Sequence, residues 1–253
     1  MVDPVRTVCV PQLAVRKNFG TYLLPLVGYF ILLFAALPQL LLNFSSVIPG
    51  TIDTPDYAPF YWNIWWFQHS IFTLHQSPYF TNYVFFPHVT NLAFHNFVPL
   101  LDAVALPVYA PFGLTVAFNS VIVGSLLFSG FAMWLLLRHH KIPNGLAFLG
   151  GALFVFSSFI AARLSNNELD MLPIGWLPLS ILALDRLLEQ RSWRAALTLS
   201  LVVYLAVMTG LQFAMWLGLL LAPYALIRIF QLDARARLKA IGWGRWLQLC
   251  WRR

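Results

Sequence analysis

Apolar residues in this chain come in long blocks, and polar residues are confined to the gaps between them. The blocks cover residues 22–43, 115–137, 144–164, 173–188, 194–210 and 212–230. A helix of about 20 apolar residues crosses the hydrocarbon of a bilayer. Only helices and closed barrels satisfy their backbone hydrogen bonds there, so these blocks predict a helical membrane bundle. The first block is too long for a signal-peptide core and lacks a small-residue cleavage site, which predicts a retained anchor. Pro25, Pro38, Pro178 and Pro223 fall inside predicted spans, where neighbouring helices re-satisfy the backbone. One further segment, 93–111, is apolar but carries His95, Pro99, Asp102, Pro107 and Pro111. It either crosses or dips in and returns. Residues 231–253 place Trp243, Trp246 and Trp251 among arginines, the pattern of an amphipathic helix in the membrane plane. No fixed-period repeat is present.

Composition agrees with the pattern. The 253 residues are 60% hydrophobic and 10% charged. That leaves too little polar surface to cover a soluble core. The net charge of +7 lies in the gaps between apolar blocks, where it orients the chain and meets anionic lipid. No basic cluster interleaves with aromatics on an exposed face, so nucleic acid is not an expected partner. Cys9 and Cys250 fall on the predicted cytoplasmic side, where thiols stay reduced, and no disulfide is expected.

Cytoplasmic loops carry an excess of lysine and arginine, and this decides the path of 93–111. If that segment does not cross, 15 of the 16 basic residues lie on one side and only Arg163 is opposite. If it crosses, the split becomes 4 against 12. The reading is therefore an all-α polytopic bundle of six spans plus a re-entrant or interfacial helix. Its N-terminus is cytoplasmic and residues 44–113 form one external stretch. Residues 1–230 make the membrane module and 231–253 a basic cytoplasmic tail.

The external stretch holds the candidate chemistry. Asp53 and Asp56 follow the first span, and an aromatic helix over residues 58–75 with Trp62, Trp65 and Trp66 comes next. Tryptophan favours the membrane–water boundary, so this helix is expected along the bilayer surface. A carboxylate there is a general base for an incoming hydroxyl, or a metal ligand. The competing reading is a Pro/Asp turn that caps the aromatic helix. His69, His75, His88 and His95 lie on the same side without zinc-motif spacing, and His95 is the best placed of them to touch a ligand. A second external cluster runs from Arg163 through Asn166, Asn167 and Glu168 to Asp170. Arg163 either holds a lipid phosphate or pairs with Glu168 or Asp170. Asp102 is a candidate because ionisable groups at membrane depth are functional by default.

These residues give the chain a resemblance to bacterial polytopic proteins related to the GT-C glycosyltransferases, similar to protein mannosyltransferases and aminoarabinose transferases. The resemblance covers roughly residues 20–230. Asp56 followed by Trp62-Asn63-Ile-Trp65-Trp66 carries it, with Ser77 to Asn82 and Phe86-Pro87 through Asn91-Leu92 to His95. Pro99-Leu100, Ala117-Phe118-Asn119 and Trp176-Leu177-Pro178-Leu179 complete it. It implies an inverting transfer of sugar from a polyprenyl-phosphate donor to an acceptor on the outer face of a bacterial inner membrane. It makes Asp56 the base, with Asp53 beside it, and Arg163 or a divalent metal the partner of the donor phosphate. Asn167, Glu168, Asp170 and His95 are the remaining candidate substrate contacts. The acceptor is open, and the chain is short for such proteins, which suggests a fragment. The alternatives are a lipid or solute transporter or flippase, and an inactive relative.

Overall fold

The computed structural model describes residues 20–50 and 57–231. The predicted tail helix lies outside the described residues. Within them the regular structure is helical apart from one small hairpin. Helix α1 (Gly20–Ala36) breaks at Leu37, and Pro38 restarts it as α2 (Pro38–Leu42). Helix α3 (Tyr57–Phe72) leads into strands β1 (Phe80–Thr81) and β2 (Thr90–Asn91), paired antiparallel. Helix α4 (Pro99–Phe112) ends at Gly113, whose φ of 85° suits glycine, and α5 (Leu114–His139) follows at once. Helices α6 (Asn144–Val155) and α7 (Ser158–Asn166) meet at a 41° bend. Helices α8 (Trp176–Gln190), α9 (Trp193–Thr209) and α10 (Gln212–Phe230) complete the bundle.

Three of these segments are long and apolar enough to cross a membrane: Leu114–His139, Leu169–Gln190 and Gln212–Phe230. The bent α6–α7 pair makes a fourth if it is one span. Helices α1, α4 and α9 are apolar but shorter. Helix α4 has 14 residues. At the usual helical rise it extends about 21 Å, less than the roughly 30 Å of hydrocarbon.

Side-chain contacts fix which helix ends lie together. Tyr22 meets the Trp134 ring edge-on at 5.9 Å, and the Tyr29 hydroxyl donates to the Phe148 carbonyl at 3.1 Å. The Asn119 side chain donates to the carbonyls of Phe44 and Val47 at 2.8 and 2.7 Å. Trp176 Nε1 donates to the Thr209 hydroxyl at 2.9 Å. Helices α5, α8 and α10 therefore run one way, and α1, α6–α7 and α9 the other. One end gathers residues 43–50, 166–171 and 210–211. The opposite end gathers Gly20, 138–143, 190–193 and 228–231. Of the basic residues in the described segments, Arg138, Lys141, Arg186, Arg191, Arg194 and Arg228 belong to that second end, and Arg163 lies toward the first.

Helix α5 is the centre of the core. Its buried Ala117, Phe118, Val121, Ile122 and Leu126 pack against Phe60 and Ile64 of α3, Leu101 and Ala105 of α4, and Val155 and Ile160 of α6–α7. Small residues let the backbones approach closely, as expected where lipid gives helices no hydrophobic push together. A side chain at Gly151 would collide with the Tyr29 hydroxyl and come within 2.6 Å of the Gly130 carbonyl. The aromatic helix α3 buries one face against the bundle and the hairpin. Phe60, Ile64 and Trp66 are buried, and Trp66 Nε1 donates to the Pro78 carbonyl at 2.9 Å. That indole helps hold the hairpin onto the bundle.

Candidate functional site

Residues 43–50 meet residues 166–171 at one end of the bundle. Asp53 and Asp56 themselves lie outside the described residues. The residues flanking them do not. Gly50 has φ 122°, a conformation that glycine tolerates and other residues rarely adopt. It lies against Asn167, so that a Cβ at Gly50 would overlap the Asn167 amide nitrogen and sit 3.1 Å from the Ser165 carbonyl. Asn119 holds the preceding turn through its two bonds to Phe44 and Val47. On the other side of the pair of acids, Tyr57 opens α3, and Tyr61 one turn later shares a 2.9 Å hydrogen bond with Thr115. Thus α5 supports both ends of the acid-bearing stretch.

Asn167 is where the first loop meets the second. It caps α7 in the left-handed region, φ 58°, with its N–H directed to the Arg163 and Leu164 carbonyls. Asparagine is one of the few side chains that adopt this conformation readily. Asn167 is buried, and its Oδ1 has no hydrogen-bond partner among the described residues. Arg163 pairs with Glu168 through Nη1 at 2.5 Å, and Asn166 donates to the other Glu168 oxygen at 3.2 Å. The guanidinium also lies 5.1 Å from the centre of the Phe159 ring, within reach of its negative face. Arg163 is thus a paired cation, although its buried Nε has no partner among the described residues. Asp170 accepts from Gln212 Nε2 at 2.8 Å and ties the loop to the start of α10. Glu168 and Asp170 both anchor the loop, and Arg163 is the group there with unused donor capacity.

The other candidates are spread along the external stretch. Asp102 lies in the first turn of α4, fully buried, with neither carboxylate oxygen hydrogen-bonded among the described residues. His95 is exposed at the end of a short 3-10 turn, Leu92–Phe94. His69 stacks on Trp65 with ring centres 4.9 Å apart and meets the Tyr83 hydroxyl at 3.3 Å. Among the described residues no three His, Cys, Asp or Glu side chains are grouped so as to hold a metal.

A second polar cluster, at the basic end, escapes the sequence reading. Buried Asp185 of α8 accepts from the Tyr224 hydroxyl at 2.9 and 3.0 Å and from Arg228 Nε at 3.0 Å. His140 Nε2 lies 3.3 Å from the same carboxylate, and His139 Nε2 lies 3.3 Å from Glu189. A signal is present in the chain: Asp185 is an acid inside an apolar run, and α10 carries Tyr224 and Arg228 four residues apart, on one helical face. This cluster clamps α5, α8 and α10 together.

Comparison with known proteins agrees with a membrane bundle and adds its family. No curated protein and no solved structure matches the chain. The model of one family, the bacterial membrane protein YfhO, matches residues 76–242, from the hairpin through α10. That match covers well over half of the sequence, so the chain belongs to the family of the bacterial membrane protein YfhO.

Proposed function

We propose that this chain is a membrane glycosyltransferase that moves a sugar from a polyprenyl-phosphate donor to an acceptor at the membrane surface. The bundle crosses the membrane six times, with α4 entering and returning and with the acid-bearing end on the non-cytoplasmic side. Asp56 is the general base and Asp53 its neighbour. Arg163 is the cation for the donor phosphate, reached by exchanging its Glu168 partner for the phosphate.

One observation supports this reading above the others. Gly50, six residues before Asp56, packs onto Asn167, the cap of the helix α7 whose last turn carries Arg163. A transferase needs a base for the acceptor hydroxyl and a cation for the departing phosphate close together. The base takes the hydroxyl proton while the acceptor oxygen bonds to the anomeric carbon. The bond from that carbon to the phosphate oxygen breaks, and the phosphate leaves with the electron pair toward Arg163. Attack from the face opposite the leaving group inverts the centre.

The test compares membrane fractions carrying wild type and Asp56→Asn for sugar release from a polyprenyl-phosphate donor. A loss of about 100-fold or more is expected for a general base. Undiminished transfer by the variant removes Asp56 from the mechanism. A second reading, transport of a lipid or solute, draws on Asp102, buried and without a side-chain partner among the described residues. Uptake without any covalent product would favour it.

A further inference from the structure

The hairpin between α3 and α4 presents an apolar surface that the packing of the bundle does not use. Phe80, Tyr83, Phe85, Phe86, Val89 and Phe94 are each at least half exposed, with Phe86 at 78% and Phe94 at 85%. A soluble protein scatters such residues singly. Here six lie within a short stretch of chain.

Their exposure is built in. The base of the hairpin is fastened to α3: Trp66 Nε1 bonds to the Pro78 carbonyl, and the Tyr83 ring packs within 5.2 Å of the Trp66 ring and 6.0 Å of Trp65. The Tyr83 amide donates to the buried Thr81 hydroxyl at 3.1 Å, and the Thr90 hydroxyl donates to the Val84 carbonyl at 3.4 Å. Phe85 has a φ of 61°. That is a strained conformation for a bulky residue. Neighbouring side chains of an extended strand point to opposite sides. The left-handed turn at Phe85 instead leaves Phe85 and Phe86 both exposed. Strain of this kind persists where surrounding contacts impose it, and it clusters at working surfaces.

Charge identifies what this surface meets. From Tyr57 to Leu101 the sequence has no Asp, Glu, Lys or Arg. A loop that projects into water, or the polar rim of a protein interface, would carry such groups. The polar groups that are present on Asn82, Tyr83 and Thr90 are uncharged hydrogen-bonding groups of the kind found at the headgroup level, and His88 adds an imidazole beside them. Both roots of the hairpin, α3 and α4, pack on α5 of a membrane bundle.

We propose that the tip of this hairpin, Phe85 to Val89 with Phe80 and Phe94 beside it, rests in the lipid interface of the membrane that holds the bundle. It anchors α3, the helix that follows the two acids, at a fixed depth. The partner is the bilayer itself, and contact is made by aromatic and aliphatic side chains without ion pairing.

Single cysteines test this. Val89→Cys and Phe94→Cys, each in a Cys9→Ser/Cys250→Ser background, are labelled with an environment-sensitive fluorophore. The proteins are reconstituted into vesicles of phosphatidylethanolamine and phosphatidylglycerol. Interfacial elements bury their apolar faces about 5–10 Å into the headgroup and acyl boundary. Phospholipids that carry a spin label high on the acyl chain should therefore remove most of the fluorescence at both positions, and aqueous iodide should remove little. Both substitutions fall on exposed side chains, so the fold does not depend on either. Quenching by iodide at either position places the tip in water and overturns the proposal. Protection from both quenchers places it under protein and overturns it equally.

Discussion

Two buried aspartates show how much partners matter. Asp185 and Asp102 are both fully buried acids inside apolar helices. Asp185 is surrounded by Tyr224, Arg228 and His140, whereas Asp102 has no side-chain partner among the described residues. Removing one partner of a buried ion pair costs about 3–5 kcal/mol. Replacing Asp102 by an amide of the same size breaks no side-chain hydrogen bond among the described residues. Asp185→Ala should therefore lower the unfolding temperature in detergent, and Asp102→Asn should leave it nearly unchanged. For a chain of this size each kcal/mol moves the midpoint by about 2–4 °C. If Asp102→Asn proves the more damaging of the two, Asp102 has a partner in the folded protein. Sequence shows both residues as acids at depth, but it cannot show which of them α10 reaches. The Arg163 cluster is legible in the same limited way. Its residues stand out by type, whereas the pairing of Arg163 with Glu168 and of Asp170 with Gln212 depends on the turn at Asn167 and on the start of α10.

Helices follow the apolar blocks because the blocks are long and the bilayer permits little else. Their interruptions are partly visible in the chain. Pro38 marks the break after α1. The bend between α6 and α7 falls at Phe156 and Ser157, where the Ser157 hydroxyl donates to the Phe154 carbonyl at 2.9 Å. The hairpin is not visible, because its very short strands have no alternation to detect. Nor is the burial of Trp66, since an amphipathic aromatic helix reads the same whether lipid or a hairpin covers it. The glycine contacts between helices give a sharper test of packing. Gly151→Ala places a methyl group against Tyr29 and the Gly130 backbone, which cannot retreat. Overpacking of this kind costs about 1–3 kcal/mol. Gly145→Ala meets nothing within 4 Å and should be silent. Thermal unfolding in detergent distinguishes them, and equal midpoints would mean that α1, α5 and α6 pack differently.

At the scale of the whole molecule, the bundle has two unlike ends. One carries the basic residues and the Asp185 clamp. The other carries Asn167 and Arg163, and receives the chain on both sides of Asp53 and Asp56. Charge counting along the sequence predicts this division. The side-chain contacts of the described helices bring the same groups of residues to the same two ends. The transferase reading needs these ends on opposite sides of the membrane, with the acid-bearing end away from the cytoplasm, where a lipid-linked sugar donor would be consumed. A membrane-impermeant thiol reagent applied to spheroplasts tests this most directly. Ser165 at the acid-bearing end and Asn144 at the basic end are both exposed, and each is replaced by cysteine in a Cys9→Ser/Cys250→Ser background. Ser165→Cys should be labelled in intact spheroplasts, and Asn144→Cys only after the membrane is permeabilised. Labelling of Asn144→Cys in intact spheroplasts, with Ser165→Cys protected until permeabilisation, would contradict the assignment of sides and with it the transferase reading.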